Sequence, residues 1–367
     1  MNVFNKLLSF FTAQSKQKDD FFLSKITKSY LPDQADTLSA IRELSELVKD
    51  KPDLIEIYLA LGNLLRAQSE FEKAIWLRHT LLAKPNLPHH LLPKIWYELG
   101  IDYKRAGLVD RAISCLKKAQ SFVGESQPIA LALARIYAQI NDYEQAIYYY
   151  KKLNNKIAQA HYLVELAKQN QEPKQILKLI HKALKVYPPS PEGWLALLIF
   201  YWRKDDKPSF QTTFKKALTK VNSELRTCLL EGLYQTFVQS SAEKRTGFTP
   251  ILEAGIGQIS PDPIANYYLG LFWMANDNVE KANHWLEKAI LLKPEFWPAR
   301  LTLLQLNKDK QQFQRDFQAN LDFLLKYLSQ QKKFVCKQCG LKRSELFFLC
   351  PKCFSWHSLQ LRNSCYE

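Results

Sequence analysis

The sequence predicts an all-α chain: a superhelical solenoid of paired helices, followed near its C-terminal end by a small metal-held knuckle. Three observations lead there. Small and aromatic residues recur with a period of 34, Ala112 and Ala146 standing one period apart. The apolar positions between them follow the three-to-four-residue spacing of helices with one packed face. Four cysteines near the end form two C-x2-C pairs. The 367 residues are 47% hydrophobic, ample for a core, and 11 glycines with 17 prolines are too few for a fibrous or low-complexity chain.

The first stretch, MNVFNKLLSFFTAQSKQK, sets Val3, Phe4, Leu7, Leu8 and Phe11 along one helical face. Crossing a bilayer takes roughly 20 apolar residues, and Asn5 and Lys6 interrupt this run. Residues 1–18 are therefore expected to lie on a surface, either the protein's own or that of an anionic membrane, where Lys6, Lys16 and Lys18 meet head groups. No small-residue cleavage site follows, which argues against a removed signal peptide.

Residues 20–330 carry the repeats. WYELGIDYKRAGLVDRAISCLKKA supplies Trp96, Leu99, Gly100 and Tyr103 on a first helix and Ala112, Leu116 and Ala119 on a second, the tetratricopeptide pattern. YYLGLFWMANDNVEKANHWLEKAILLKP repeats it with Leu269, Gly270, Trp273, Ala282, Leu286, Ala289 and Pro294. YLALGNLLRAQSEFEKAI (Tyr58, Leu61, Gly62, Ala74) and LALARIYAQINDYEQAIYYY (Leu133, Ala134, Tyr137, Ala146, Tyr150) are good copies, residues 160–188 and 194–217 weaker ones, and residues 223–260 a degenerate one. Six or seven hairpins are expected. Gly or Ala lets the two helices approach closely, and the large residues fill the seam to the next hairpin. The apolar run GWLALLIFYW is too short to span a membrane and reads as one of these helices.

First-helix positions not used in packing are expected to line a groove: Asn63, Arg66, Tyr97, Lys104, Arg105, Arg135, Trp202 and Arg203. Mixed basic and aromatic side chains suit an acidic, extended or helical peptide. The formal charge of +15 points the same way, toward acidic partners, and stays at about +13 once four thiolates and one divalent ion are counted.

Residues 331–367 hold the knuckle. Cys336, Cys339, Cys350 and Cys353 can point four sulfurs at one ion, Gly340 gives the tight turn of a rubredoxin-like knuckle, and Pro351 sits inside the second pair. A closed four-sulfur site admits zinc or iron; zinc is expected because no other redox motif accompanies it. With no position left for water, the site is structural. Phe334, Phe347, Phe348, Phe354 and Trp356 exceed what so small a module buries, so it is expected to dock on the last helices, KDKQQFQRDFQANLDFLLKYL, and to cap the stack. The other cysteines, Cys115, Cys228 and Cys365, have no framework spacing, which argues for reduced thiols on a cytosolic face. No phosphate loop and no H-E-x-x-H occurs; the chain reads as non-enzymatic.

Hairpins beginning LALGNLLRAQSEFEKAI and YELGIDYKRAGLVDRAI, followed by FVCKQCGLKRSELFFLCPKCFSW, make the chain resemble the lipopolysaccharide assembly protein B family over about residues 22–360. The resemblance implies an adaptor on the cytoplasmic face of the inner membrane. Such an adaptor promotes turnover of the UDP-acyl-N-acetylglucosamine deacetylase by the membrane-bound ATP-dependent zinc protease, with metal ligands at Cys336, Cys339, Cys350 and Cys353. The family usually opens with a transmembrane helix, and this chain opens with the shorter amphipathic stretch. The alternative reading is a basic nucleic-acid-binding scaffold with a structural zinc ribbon, whose affinity would fall steeply with salt. The pattern is compatible with an oligomer.

Overall fold

The computed structural model describes residues 34–50, 55–85, 87–259, 261–307, 325–326 and 332–362. The amphipathic stretch 1–18, most of the helical segment expected at 308–328, and Cys365 lie outside them. The chain forms two compact units, Met1–Ala132 and Leu133–Glu367.

In the first unit α1 (Gln34–Asp50) precedes the hairpins α2 (Ile55–Ala67) with α3 (Phe71–Leu82) and α4 (Leu92–Arg105) with α5 (Val109–Val123). Helix α6 (Gln127–Gln139) begins before the division and continues past it, followed by α7 (Tyr143–Lys152). The second unit continues with α8 (Lys156–Gln169) and α9 (Pro173–Val186), α10 (Pro191–Arg203) and α11 (Lys207–Lys220), α12 (Arg226–Val238) and α13 (Ala242–Ile256), α14 (Pro263–Met274) and α15 (Val279–Leu292), and then α16 (Trp297–Asn307). The degenerate stretch 223–260 thus folds as two further helices, α12 and α13, each packed on its neighbours more than on the other.

The turn inside the hairpins explains the period. Among the described residues an amide inside a hairpin bonds back five times to the carbonyl five residues earlier, Glu70 to Leu65, Leu108 to Tyr103, Asp142 to Tyr137, Asp206 to Tyr201 and Asn278 to Trp273, at 2.9–3.1 Å, and between α7 and α8 Asn155 does the same to Tyr150 after left-handed Asn154. This is the closure of a helix C-terminus through one left-handed residue. The residue just before each of those amides has positive φ: Ser69, Gly107, Asn141, Asp205 and Asp277. Asn and Asp tolerate that conformation because their short side chains bond locally. Asp142, Asp206 and Asn278 then cap the second helix, each accepting the amide three residues on.

Close approach accounts for the small residues. A Cβ on Gly100 would meet Leu116 Cγ at 2.8 Å, and one on Gly270 would meet Leu286 Cγ at 2.8 Å. Ala112 and Ala282 are wholly buried opposite them, and Ala146 is wholly buried at the same register of its own helix. Trp202 corrects the expected groove lining. It is only 4% exposed, its ring lies 4.3 Å from that of Phe248, and its Nε1 donates to Ser240 Oγ at 3.0 Å. An indole at that register fills the seam between hairpins, where its large apolar area leaves water and its N–H keeps a partner.

The C-terminal module is a three-stranded antiparallel sheet in the order β2-β1-β3, from β1 (Phe334–Cys336), β2 (Lys342–Arg343) and β3 (Leu359–Leu361). Its buried residues Phe334, Phe347, Leu359 and Leu361 belong to the same apolar cluster as α10, α12 and α14. Among the described residues the module therefore seats on first helices in the middle of the second unit. The dock expected on the last helices, 308–328, falls almost wholly outside the described residues.

Candidate metal centre and its seat

The four sulfurs of Cys336, Cys339, Cys350 and Cys353 lie within 4.8 Å of one another. Cys336 to Cys353 and Cys339 to Cys350 are each 3.7 Å apart. A tetrahedral ion with metal–sulfur bonds of about 2.3 Å sets its ligands about 3.8 Å apart, so the donor set fits a four-thiolate ion, zinc or iron. Both knuckles have the same backbone: the Gly340 amide bonds to the Cys336 carbonyl and the Phe354 amide to the Cys350 carbonyl, each at 2.9 Å. Both residues are left-handed, Gly340 at φ 68° and Phe354 at φ 57°. Sequence reading anticipates the glycine; Phe354 does the same work with a side chain attached.

The shell favours thiolate at Cys336 and Cys353, whereas at Cys339 the Leu341 amide acts to lower the thiol but burial and the neighbouring sulfurs prevail and push it up to about 12. Burial acts to raise the Cys336 thiol, but hydrogen bonds from Ser358 and the backbone amides of Cys339 and Gln338 bring it below its ordinary value. Ser355 Oγ, 3.2 Å from Cys353 Sγ, helps hold that thiol down to about 6. Hydrogen-bond donors around a thiolate are the usual second layer of a metal site.

Three carboxylates receive the module, Glu192 and Glu231 on first helices and Glu224 in the 3-10 turn before α12. Glu192, two residues into α10 from its cap Ser190, is 3% exposed. Its carboxylate meets His357 Nε2 at 2.9 and 3.0 Å, His161 Nδ1 of α8 at 3.3 Å and Ser190 Oγ at 3.1 Å. Burial acts to raise its pKa, yet the hydrogen bonds from the two imidazoles prevail and hold it down to about 2. Glu231 of α12 accepts from Lys333 Nζ at 2.5 Å and from the buried hydroxyl of Tyr268, α14, at 2.7 Å. Lys337 reaches Glu224 at 2.7 Å. Trp356 stands edge-on to His161, ring centres 4.9 Å apart, and against Tyr162.

The expected partner-binding residues separate into distinct groups. Arg135 is exposed, its guanidinium 5.0 Å from the Phe354 ring, which is itself 51% exposed. Arg105 and Arg203 are exposed; Tyr97 and Lys104 are partly covered and engaged with neighbours. Asn63 and Arg66 are committed inside the first unit: Arg66 pairs with Glu98 at 2.8 Å and Asp102 at 2.9 Å, and Asn63 Oδ1 accepts from both Arg66 and Arg78. Arg78, 1% exposed, completes this network through Nε to Asp102 at 2.6 Å. Sequence reading misses it, although a signal exists. Arg78 follows Gly62 by the spacing at which Leu116 follows Gly100 and Leu286 follows Gly270, so a buried cation stands in a leucine's place. Glu192, His161 and His357 carry no such signal.

The tetratricopeptide repeat family matches residues 128–154, spanning α6 and α7. Among solved structures, a tetratricopeptide repeat protein from Parabacteroides merdae is 16% identical, covers 78% of this chain and 99% of its own, and superposes with a TM-score of 0.32. The Naa15/Naa10 structure bound to HypK-THB is 18% identical, covers 80% and 51%, and scores 0.37. Lipopolysaccharide assembly protein B of Escherichia coli strain K12 is 20% identical over 365 residues, 95% of this chain and 92% of that protein. This chain is a tetratricopeptide-repeat protein like lipopolysaccharide assembly protein B. The likeness to lipopolysaccharide assembly protein B runs nearly end to end. No helix of the described residues is long and apolar enough to cross a membrane.

Proposed function

We propose that the chain is a non-enzymatic adaptor regulating lipopolysaccharide synthesis, with zinc in its four-cysteine knuckle. It acts at the cytoplasmic face of the inner membrane and presents the UDP-acyl-N-acetylglucosamine deacetylase to the membrane-bound ATP-dependent zinc protease. The observation that carries this reading is the seat of the knuckle: Glu192 and Glu231 fasten it to first helices of a protein-binding repeat. That arrangement leaves Phe354 and Arg135 together at an exposed edge. A rigid aromatic beside a guanidinium is the composition of an interface hot spot, and a repeat array supplies further surface for a second protein.

The test is the half-life of the deacetylase in cells lacking this chain. Deletion is expected to lengthen it and the intact chain to restore it. Cys339→Ser, which opens the knuckle, and a joint Arg105, Arg135 and Arg203 to Ala variant are both expected to restore it only in part. A half-life unchanged by deletion removes the adaptor reading.

A further inference from the structure

Glu192 and Glu231 are taken up by the knuckle, which raises the question of where the surplus positive charge resides. Two neighbouring second helices hold much of it. Helix α9, PKQILKLIHKALKV, and α11, KPSFQTTFKKALTK, carry four lysines each and not one Asp or Glu. All but Lys215 are exposed, and among the described residues none of the eight pairs with a carboxylate. The nearest acids in sequence, Glu172, Asp205 and Asp206, precede the helices, and Asp206 is occupied as the cap of α11.

Between these helices lies a cleft of about 610 Å³, within the range of roughly 300–1,000 Å³ typical of ligand sites. Its apolar base comes from α10, whose Trp194, Leu197 and Tyr201 line it; His181, Lys185 and Lys216 stand at its rim. The Trp194 N–H already donates to the Pro188 carbonyl at 2.8 Å, so the indole offers the cleft an apolar face. Basic rim and aromatic base come from three consecutive helices of one unit.

We propose that this cleft binds an acidic segment of a partner protein, one that carries an aromatic or large aliphatic side chain among its carboxylates. The apolar side chain covers Trp194 and Tyr201, while the carboxylates meet Lys185, Lys216 and His181. A membrane surface is too flat to reach the recessed base. A nucleic-acid backbone would use the exposed lysines of α9 and α11 through its phosphates and leave the apolar base of the cleft uncovered. The site is independent of the turnover reading: it predicts direct binding to purified protein whatever the deacetylase half-life does.

The experiment is fluorescence anisotropy on the full chain with a labelled short peptide of Asp and Glu around one Phe and two Leu. The comparison probes are the same peptide with Ser for the apolar residues, phosphatidylglycerol vesicles and a DNA duplex. Lys185→Glu with Lys216→Glu is expected to weaken the amphipathic peptide at least about tenfold, two lost charge contacts amounting to about 1.4 kcal/mol or more. Both lysines are exposed and unpaired, so circular dichroism is expected to stay unchanged. Peptide binding should also alter tryptophan emission in the parent chain and not in Trp194→Phe. Absent binding, an affinity unchanged by the double substitution, equal affinity for the Ser-containing peptide, or vesicles or duplex binding through Lys185 and Lys216 in the peptide's place would each overturn the proposal.

Discussion

At the scale of the residue, the first unit contains a test of what a buried charge contributes. Asp102 is wholly buried between two arginines, Arg78 through Nε at 2.6 Å and Arg66 at 2.9 Å. Removing one partner of a buried pair strands the other, at a cost of about 3–5 kcal/mol. Asp102→Ala leaves buried Arg78 with only the more distant Glu98 carboxylate, at 3.7 Å, and is expected to destabilise the first unit by an amount toward the lower end of that range. Arg78→Leu leaves Asp102 with Arg66 and puts leucine where Leu116 and Leu286 stand in other hairpins, so its cost should stay below about 1.5 kcal/mol. Urea unfolding of the two variants checks the order. Equal losses would mean that the network acts as a unit rather than through its anion.

At the scale of the element, the knuckle is attached through α10 by one carboxylate. Glu192 titrates below its ordinary 4.5, at about 2, in the folded chain. The stability it adds is therefore complete above about pH 4.5 and is lost as pH falls from there through about 2. Glu192→Gln should lower the urea midpoint at neutral pH by the equivalent of about 1.5–3 kcal/mol. The gap between the two proteins should close on acidification across that window; a gap that persists at pH 2 would assign the contact to packing alone. Hairpins and cysteines were legible beforehand because each depends on residues close in sequence: Gly100 with Leu116, Cys336 with Cys339. The seat of the knuckle was not. Glu192 and His357 stand 165 residues apart, and neither belongs to a motif, so the surplus aromatics Phe334 and Trp356 showed that the module docks but not where. Trp202 was misplaced for a related reason. Register alone does not tell an aromatic that lines a surface from one that fills a seam when the next stretch, α12 and α13, is degenerate.

At the scale of the whole molecule, the two units should answer metal differently. One apolar cluster of the second unit joins buried residues from Leu195 to Ala299 with Phe334, Cys336, Phe347, Cys350, Leu359 and Leu361 of the knuckle, whereas the first unit holds no part of the knuckle. A ligand that binds only the native state stabilises it by about 4 kcal/mol at a thousand times its Kd. Stripping the metal with a chelator is expected to lower the calorimetric transition of residues 133–367 and leave that of residues 1–132 in place. A single transition that moves as one would show the units to be thermodynamically inseparable.

The long reach of the Glu192–His357 contact also sets an order of assembly. Repeat hairpins form from neighbours and can fold as they emerge from the ribosome, but the knuckle is synthesised after the hairpins that seat it. Until it arrives, Glu192 and Glu231 lack His357 and Lys333, their partners from the module, and the second unit has an open flank. A chain interrupted before residue 332 would thus carry a nearly complete array that is visibly unfinished to proteases. Residues 332–362 thus close that flank last, after the hairpins that seat them have already been made.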